Sequence, residues 1–349
     1  MSIGDTPPVN QDGDRAGQGQ SDSGAGVPPL RAMHRALRSV RAALLDYPRL
    51  QATATQVWAR IPPKRRRWIL VGVILGILVL FFATRQTPAP QRPEPGTTIF
   101  HIDSHPALIF AHSNGRVHLS AGPDGQVSIK ENRSGITDAI HTHYAQRGNS
   151  IAVTVNIDDG LPLDTWVDFD VRVPRQTGAN ITVAAGTLEA AGLTGDLALS
   201  DTNGAIWATN LSGSIALRTQ SGSINTTHVS GQLSAITQNG TITTEDTHLS
   251  GQSRVQAESG TINFHGSLDR AGSNAFMGGN GAIGLTLPRS SSFHVDARTV
   301  SGSINSDFPG VKAIQEHGGS GASGNIGTAP RARLTIQTAG GSIDLHQGI

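Results

Sequence analysis

Glycine recurs every nine residues, at Gly186, Gly195, Gly204, Gly213, Gly222, Gly231 and Gly240. The series resumes at Gly251 after an eleven-residue step and reaches Gly260 nine residues later. Seven registers in a row are not an accident of composition, even with 42 glycines among 349 residues. Repeats of this kind decide a fold before any single residue does.

The residues between the glycines repeat as well. Two positions after the glycine stands an aliphatic side chain in Leu188, Leu197, Ile206, Ile215, Ile224, Leu233, Ile242 and Ile262, and only Ser253 departs. Alternate half-repeats differ: Ala190, Ala208 and Thr226 are small at the fourth position, where Leu199, Leu217 and Ala235 stand in the other set. The unit is therefore about 18 residues with two short strands. Period-two alternation turns the aliphatics inward and Thr187, Glu189, Ser223, Asn225, Thr241 and Thr243 outward. Four-residue strands bury too little alone, but stacked units hydrogen-bond to neighbours at about 4.8 Å and align their aliphatics into one column. Glycine at each corner permits the turn. The expected fold class is all-β, a β-solenoid of the parallel β-helix or β-roll type.

The flanks are β but less regular. Candidate strands lie at TIFHI, ALIFA, RVHLS, QVSIK, SIAVTVNI and TWVDFDVRV, with turns expected at Asn114-Gly115 and Asp124-Gly125. These are expected to pair with and cover the first coil, since a terminal repeat must hide its open edge. Beyond Arg270 the motif returns as NGAIGL, VSGSINSDFP and AGGSIDL, and the Gly-rich stretch 317–327 reads as a mobile loop. Residues 97–349 thus form one domain.

A second feature governs the other end. Trp68 to Thr84, WILVGVILGILVLFFAT, carries no charge over seventeen residues. At about 1.5 Å per residue it spans roughly 26 Å, enough to cross a bilayer core as a transmembrane helix. Lys64, Arg65, Arg66 and Arg67 precede it, whereas Arg85 and Arg92 follow, so the positive-inside rule places the N-terminus in the cytoplasm. With 67 residues ahead of it, an uncleaved anchor fits better than a signal peptide. Gly72 and Gly76 form a GxxxG pair, a possible route to a homo-oligomer.

Residues 1–29 lack large apolar side chains and read as a disordered tail. Within 30–67, Leu30, Met33, Leu37, Val40 and Leu44 recur at helical spacing beside Arg31, Arg35, Arg38 and Arg41, a basic amphipathic helix ending before Pro48. It suits the anionic inner membrane face or a partner. Residues 85–96 are a Pro-rich spacer.

Charge follows the same division. Residues 1–67 hold eleven Lys or Arg against five Asp, a net of +6, which leaves −5 for the rest of a chain whose total is +1. The larger part gives no reason to expect nucleic acid. Absence of cysteine removes disulfide frameworks, thiolate metal sites and cysteine nucleophiles.

The segment VDFDVRVPRQTGANITVAAGTLEAAGLTGDL, the SGSI and NGTI units, PRSSSFHVDARTVSGSINSDFP and LTIQTAGGSIDL occur in an order that resembles the bacterial DUF4097 family, described as adhesins. The resemblance runs from Ile99 to the end. It implies a β-strand-repeat domain displayed outside a bacterial membrane, and it carries over no catalytic residue.

Residues in patterns suited to catalysis or metal binding are few. His141 and His143 share one face of a strand, with His101, His105, His112 and His118 upstream, but zinc or copper needs a third converging ligand, so surface histidine is the reading. Asp158, Asp159, Asp164, Asp168 and Asp170 surround Trp166 and could act as glycosidase carboxylates; solvated strand faces explain them better. No phosphate loop, GxSxG or calcium-roll repeat is present. Outward Thr and Ser rows are interrupted by Glu189, Trp207, Arg218 and Arg254. No catalytic, cofactor or metal residue is assigned. The expectation is a single-pass protein of the bacterial inner membrane whose ectodomain is a non-enzymatic adhesion or interaction module for an extracytoplasmic glycan or protein. The alternative is an envelope-stress sensor signalling through the Leu30–Leu45 helix.

Overall fold

A computed structural model describes residues 96–103, 105–158, 165–316, 319–328 and 330–348. The expected tail, basic helix, membrane span 68–84 and all of the Pro-rich spacer except Gly96 lie outside them. Among the described residues no helix is long and apolar enough to cross a membrane.

The chain there is all-β apart from a single 3-10 turn at Thr137–Ala139. In chain order the strands are β1 (Thr97–His101), β2 (Ala107–Ala121), β3 (Gln126–Ser134), β4 (Ile140–Arg147), β5 (Ser150–Ile157), β6 (Trp166–Val173) and β7 (Gly178–Ala191). The repeat region holds β8 (Thr194–Thr209), β9 (Ser212–Ser221), β10 (Ile224–Thr227), β11 (Ser230–Asn239), β12 (Ile242–Ser259) and β13 (Ile262–Asn280). The C-terminal strands are β14 (Ile283–Pro288), β15 (Phe293–Ser301), β16 (Ile304–Ser306), β17 (Val311–Glu316), β18 (Gly319–Ile326), β19 (Ala332–Gly340) and β20 (Ile343–Gly348).

The nine-residue glycine register becomes an 18-residue offset between parallel neighbours. Leu188 pairs with Ile206, Ile206 with Ile224 and Ile224 with Ile242. Beyond the eleven-residue step the offset grows, so that Ile242 pairs with Ile262 and Ile262 with Ile283, and bulges absorb the extra residues. The column continues through Ile343 to Ile304. Every member is buried, and each such side chain contributes about 1.5–3 kcal/mol over its exposed state.

Glycine at the corner is required by contact as much as by torsion. Gly222 has φ +152°, and a β-carbon there would lie 1.9 Å from the Gly204 carbonyl oxygen of the rung before. The same approach links Gly186, Gly240, Gly260, Gly281, Gly341 and Gly302, one corner of the chain stacked on itself.

Three expectations need correction. Asn114-Gly115 is no hairpin turn: β2 runs through it, and Gly115 is simply the first corner of that column, because Gly186 stacks on it. β2 pairs with the first coil as expected, in parallel with β7, but it is itself an interior rung with β5 and β6 on its other side, and the capping falls to strands beyond those. Residues 319–326 of the expected mobile loop are strand β18, antiparallel to both β15 and β17. An edge rung with unpaired backbone groups recruits them, and small Gly, Ser and Ala side chains let three backbones approach.

Order in the stack departs from order in the chain at both ends. β19 and β20 lie between the β13–β14 rung and the β15–β16 rung. β2 likewise lies inside β5 and β6. Antiparallel strands then cover the outermost rungs, β3 on β6 and β4 on β5 at one end, β18 on β15 at the other. Aromatic residues are scarce, and edge-to-face pairs concentrate near the irregular rungs: Phe110–Phe169 at 5.0 Å, Phe264–Phe276 at 5.1 Å and Phe293–Phe308 at 5.5 Å.

Candidate binding surface

Stacking parallel rungs in register aligns outward side chains as strictly as inward ones. One outward column runs Lys130, Asp170, His118, Glu189, Trp207, Asn225, Thr243 and Asn263. It continues through Gly284 and Asp344 to Asn305. At about 4.8 Å per rung, this is a ribbon of polar groups perpendicular to the strands, with one large apolar side chain in it. Trp207 is 49% exposed, held on a rigid strand between Glu189 and Asn225.

The carboxylates on this face from Asp168 to Glu189 each have a hydrogen-bond or ion-pair partner. His118 Nδ1 lies 2.9 Å from Glu189 Oε2. The Arg116 backbone N–H donates to Asp168 Oδ1 at 2.8 Å, with the guanidinium 3.8 Å from the other oxygen. Asn132 Nδ2 donates to Asp170 Oδ2 at 3.3 Å. Of the carboxylates singled out from sequence, Asp168 and Asp170 thus share this face, each with a partner, and Asp158 is 3.3 Å from His141 instead. Asp159 and Asp164 lie outside the described residues. Trp166, 37% exposed, stands at the start of β6. His141 and His143 are both exposed on β4, and among the described residues no three His, Asp or Glu side chains gather as metal ligands.

Sequence reasoning passed over several groups. Trp207 registered only as a break in a Thr and Ser row. Near it on the same side, His228, Asp246, His265 and Glu245 form a network of exposed ion pairs, with His228–Asp246 at 3.4 Å and His265–Glu245 at 3.3 Å. Such pairs add little stability. Toward the other end an open groove of about 840 Å³ is lined by Met277, Arg298, Val300, Gly321, Gln337 and Thr338, with Val300 69% exposed.

Two buried titratable groups share an inward column. His112 pairs with Val183 and Val183 with Asp201, followed by Thr219 and Thr237. Thr219 donates to the Gly204 carbonyl at 3.3 Å and Thr237 to the Gly222 carbonyl at 3.2 Å, and Thr299 does the same to Gly341 at 3.0 Å. Asp201 occupies that position without a hydroxyl. Burial pushes this carboxyl group up to about 7, opposed by the Asn203 backbone N–H. Burial pulls His112 down to about 4, opposed by the Val167 carbonyl and the Asp168 charge. The parity that makes Asp201 inward was readable from its alignment with Thr219 and Thr237.

A model of the protein family described as Toastrack DUF4097 matches residues 124–346. Among solved structures the chain is similar to a putative adhesin from Parabacteroides merdae, at 10% identity and TM-score 0.41, covering 71% of this chain and 95% of that one. It is also similar to a putative adhesin from Bacteroides fragilis, at 11% identity and TM-score 0.32, covering 71% and 95%. A putative cell adhesion protein from Clostridium sporogenes matches at 11% identity and TM-score 0.25, covering 72% and 99%. No curated protein matches the chain.

Proposed function

The chain belongs to the Toastrack DUF4097 family, and on that premise we propose that it is a non-enzymatic adhesion or interaction module, a β-solenoid held outside a bacterial inner membrane. In this reading residues 68–84 are the single-pass anchor, the N-terminus is cytoplasmic and the Pro-rich residues 85–96 hold the domain off the bilayer. Gly72 and Gly76 offer a contact for self-association. The partner is an extracytoplasmic glycan or protein.

One observation carries the proposal: the outward column from Lys130 to Asn305, a continuous ribbon of mostly polar positions that crosses the strands. A contact surface of this kind makes many weak, parallel interactions and needs no reacting group. The test is direct. The full chain in phospholipid nanodiscs is immobilised and offered intact bacterial cells, envelope glycans and envelope proteins. Saturable binding to one of these, with the offered molecule recovered unchanged, is expected. Turnover of an envelope glycan that disappears in the Asp168→Asn, Asp170→Asn double variant would establish an enzyme and end the reading.

A further inference from the structure

We propose that the ribbon segment centred on Trp207 is the seat of an uncharged glycan chain lying along the stack axis, across the strands. This rests on the contact-face reading above and names its ligand class.

The ring is the first reason. A half-exposed indole on a rigid strand gives an apolar face on which the C–H face of a pyranose stacks, with flanking groups for its hydroxyls. Glu189 and Asn225, one rung to either side, are those groups. His118 holds one Glu189 carboxylate oxygen at 2.9 Å and so orients the other. Beyond Asn225 the column presents Thr243 and then Asn263, one hydrogen-bonding side chain per rung. The rung spacing of about 4.8 Å is close to the width of one sugar ring, so successive residues of a chain meet successive side chains.

Surroundings separate a glycan from a protein partner. A protein hot spot needs a contiguous, desolvated apolar centre. Among the described residues no second large apolar side chain adjoins Trp207: the neighbouring outward positions are Ala205 and Thr209 on its own strand, and Glu189 and Asn225 directly opposite it on the rungs either side. Charge selects within glycans. The side chains directly beside the ring are Glu189 and Asn225, so no cation stands next to it to hold a polyanion.

The experiment uses the full chain in phospholipid nanodiscs, which contribute no sugar headgroups. Wild type, Trp207→Ala, Trp207→Phe and Arg218→Ala, the last on a different outward column, are titrated calorimetrically with cellotetraose, chitotetraose, mannotetraose and an anionic hyaluronan tetrasaccharide. At least one neutral tetrasaccharide binds wild type. Trp207→Ala weakens it by about tenfold or more, corresponding to about 1.4 kcal/mol, Trp207→Phe weakens it less, and Arg218→Ala leaves it unchanged. Failure of all three neutral probes, equal binding by Trp207→Ala, or tighter binding of the anionic probe overturns the assignment. Attachment to bacterial cells is measured on the same four proteins. If Trp207→Ala abolishes attachment while no neutral sugar binds, the contact face stands and the glycan does not. If wild type attaches to nothing, the broader reading falls with it.

Discussion

At the scale of single residues, Asp201 and His112 make opposite demands on pH. The folded chain favours a protonated Asp201, raised from 3.8 to about 7, so its contribution is intact below pH 3.8 and is lost as pH rises toward 7. It favours a neutral His112, lowered from 6.5 to about 4, so that contribution is intact above pH 6.5 and is lost as pH falls toward 4. Between about pH 4 and 6.5, folding takes up a proton at one site and releases one at the other. The two slopes cancel and their joint effect is flat. His112→Leu leaves the Asp201 slope exposed, and stability from urea titrations then falls by up to about 1.4 kcal/mol per pH unit across that window. Asp201→Thr does the reverse: stability rises with pH there, and at pH 7 and above the variant is more stable than wild type because a hydroxyl can donate to a corner carbonyl as Thr219 and Thr237 do. Parallel pH profiles in all three proteins would refute the pairing.

At the scale of the strand, the repeat assigns unequal value to adjacent residues, one inward and the next outward. Ile224 stacks between Ile206 and Ile242 with no exposed surface, and Ile224→Ala is expected to cost about 2–5 kcal/mol in chemical denaturation. Trp207→Ala, on the outward face of the neighbouring rung, stays within about 0.5 kcal/mol of wild type, which also makes it usable in binding work. Ser253, the one departure from the aliphatic series, is buried and its Oγ accepts the Leu233 backbone N–H at 3.1 Å, where the register slips between Gly231 and Ser234. Ser253→Ala strands that N–H at a cost of about 1–3 kcal/mol, even though it makes the column more apolar. Period and parity made the inward columns, the glycine corners and the all-β class legible before any coordinates. They could not reveal β18, because Gly and Ser carry no hydrophobic alternation to mark a strand. Nor could they reveal Trp207 as a candidate site, since a period reports which way a side chain points and not what stands on the next rung.

At the scale of the whole molecule, the departures from sequence order decide how the stack comes apart. An array whose rungs follow the chain can lose its last repeat and keep the remainder, because each repeat touches only its neighbours. Here the last segment of the chain is interior. β19 and β20 stand between the β13–β14 rung and the β15–β16 rung, so removing residues 332–349 deletes a middle layer and leaves the apolar surfaces of Phe276 and Ile283 on one side, and of Val295 and Ala297 on the other, without their partners. Those rungs cannot close on each other without moving the chain between them, residues 289–292, and the antiparallel cover formed by β18. Truncation at Arg331 is therefore expected to abolish the cooperative native transition over 265–326, read as loss of amide hydrogen-exchange protection across β13 to β18. Removing β17 alone, at the outer edge, spares that protection because β18 still covers β15. A truncated chain that keeps protection in β14 and β15 would show that the interleaving is dispensable and that the C-terminal rungs hold together in chain order.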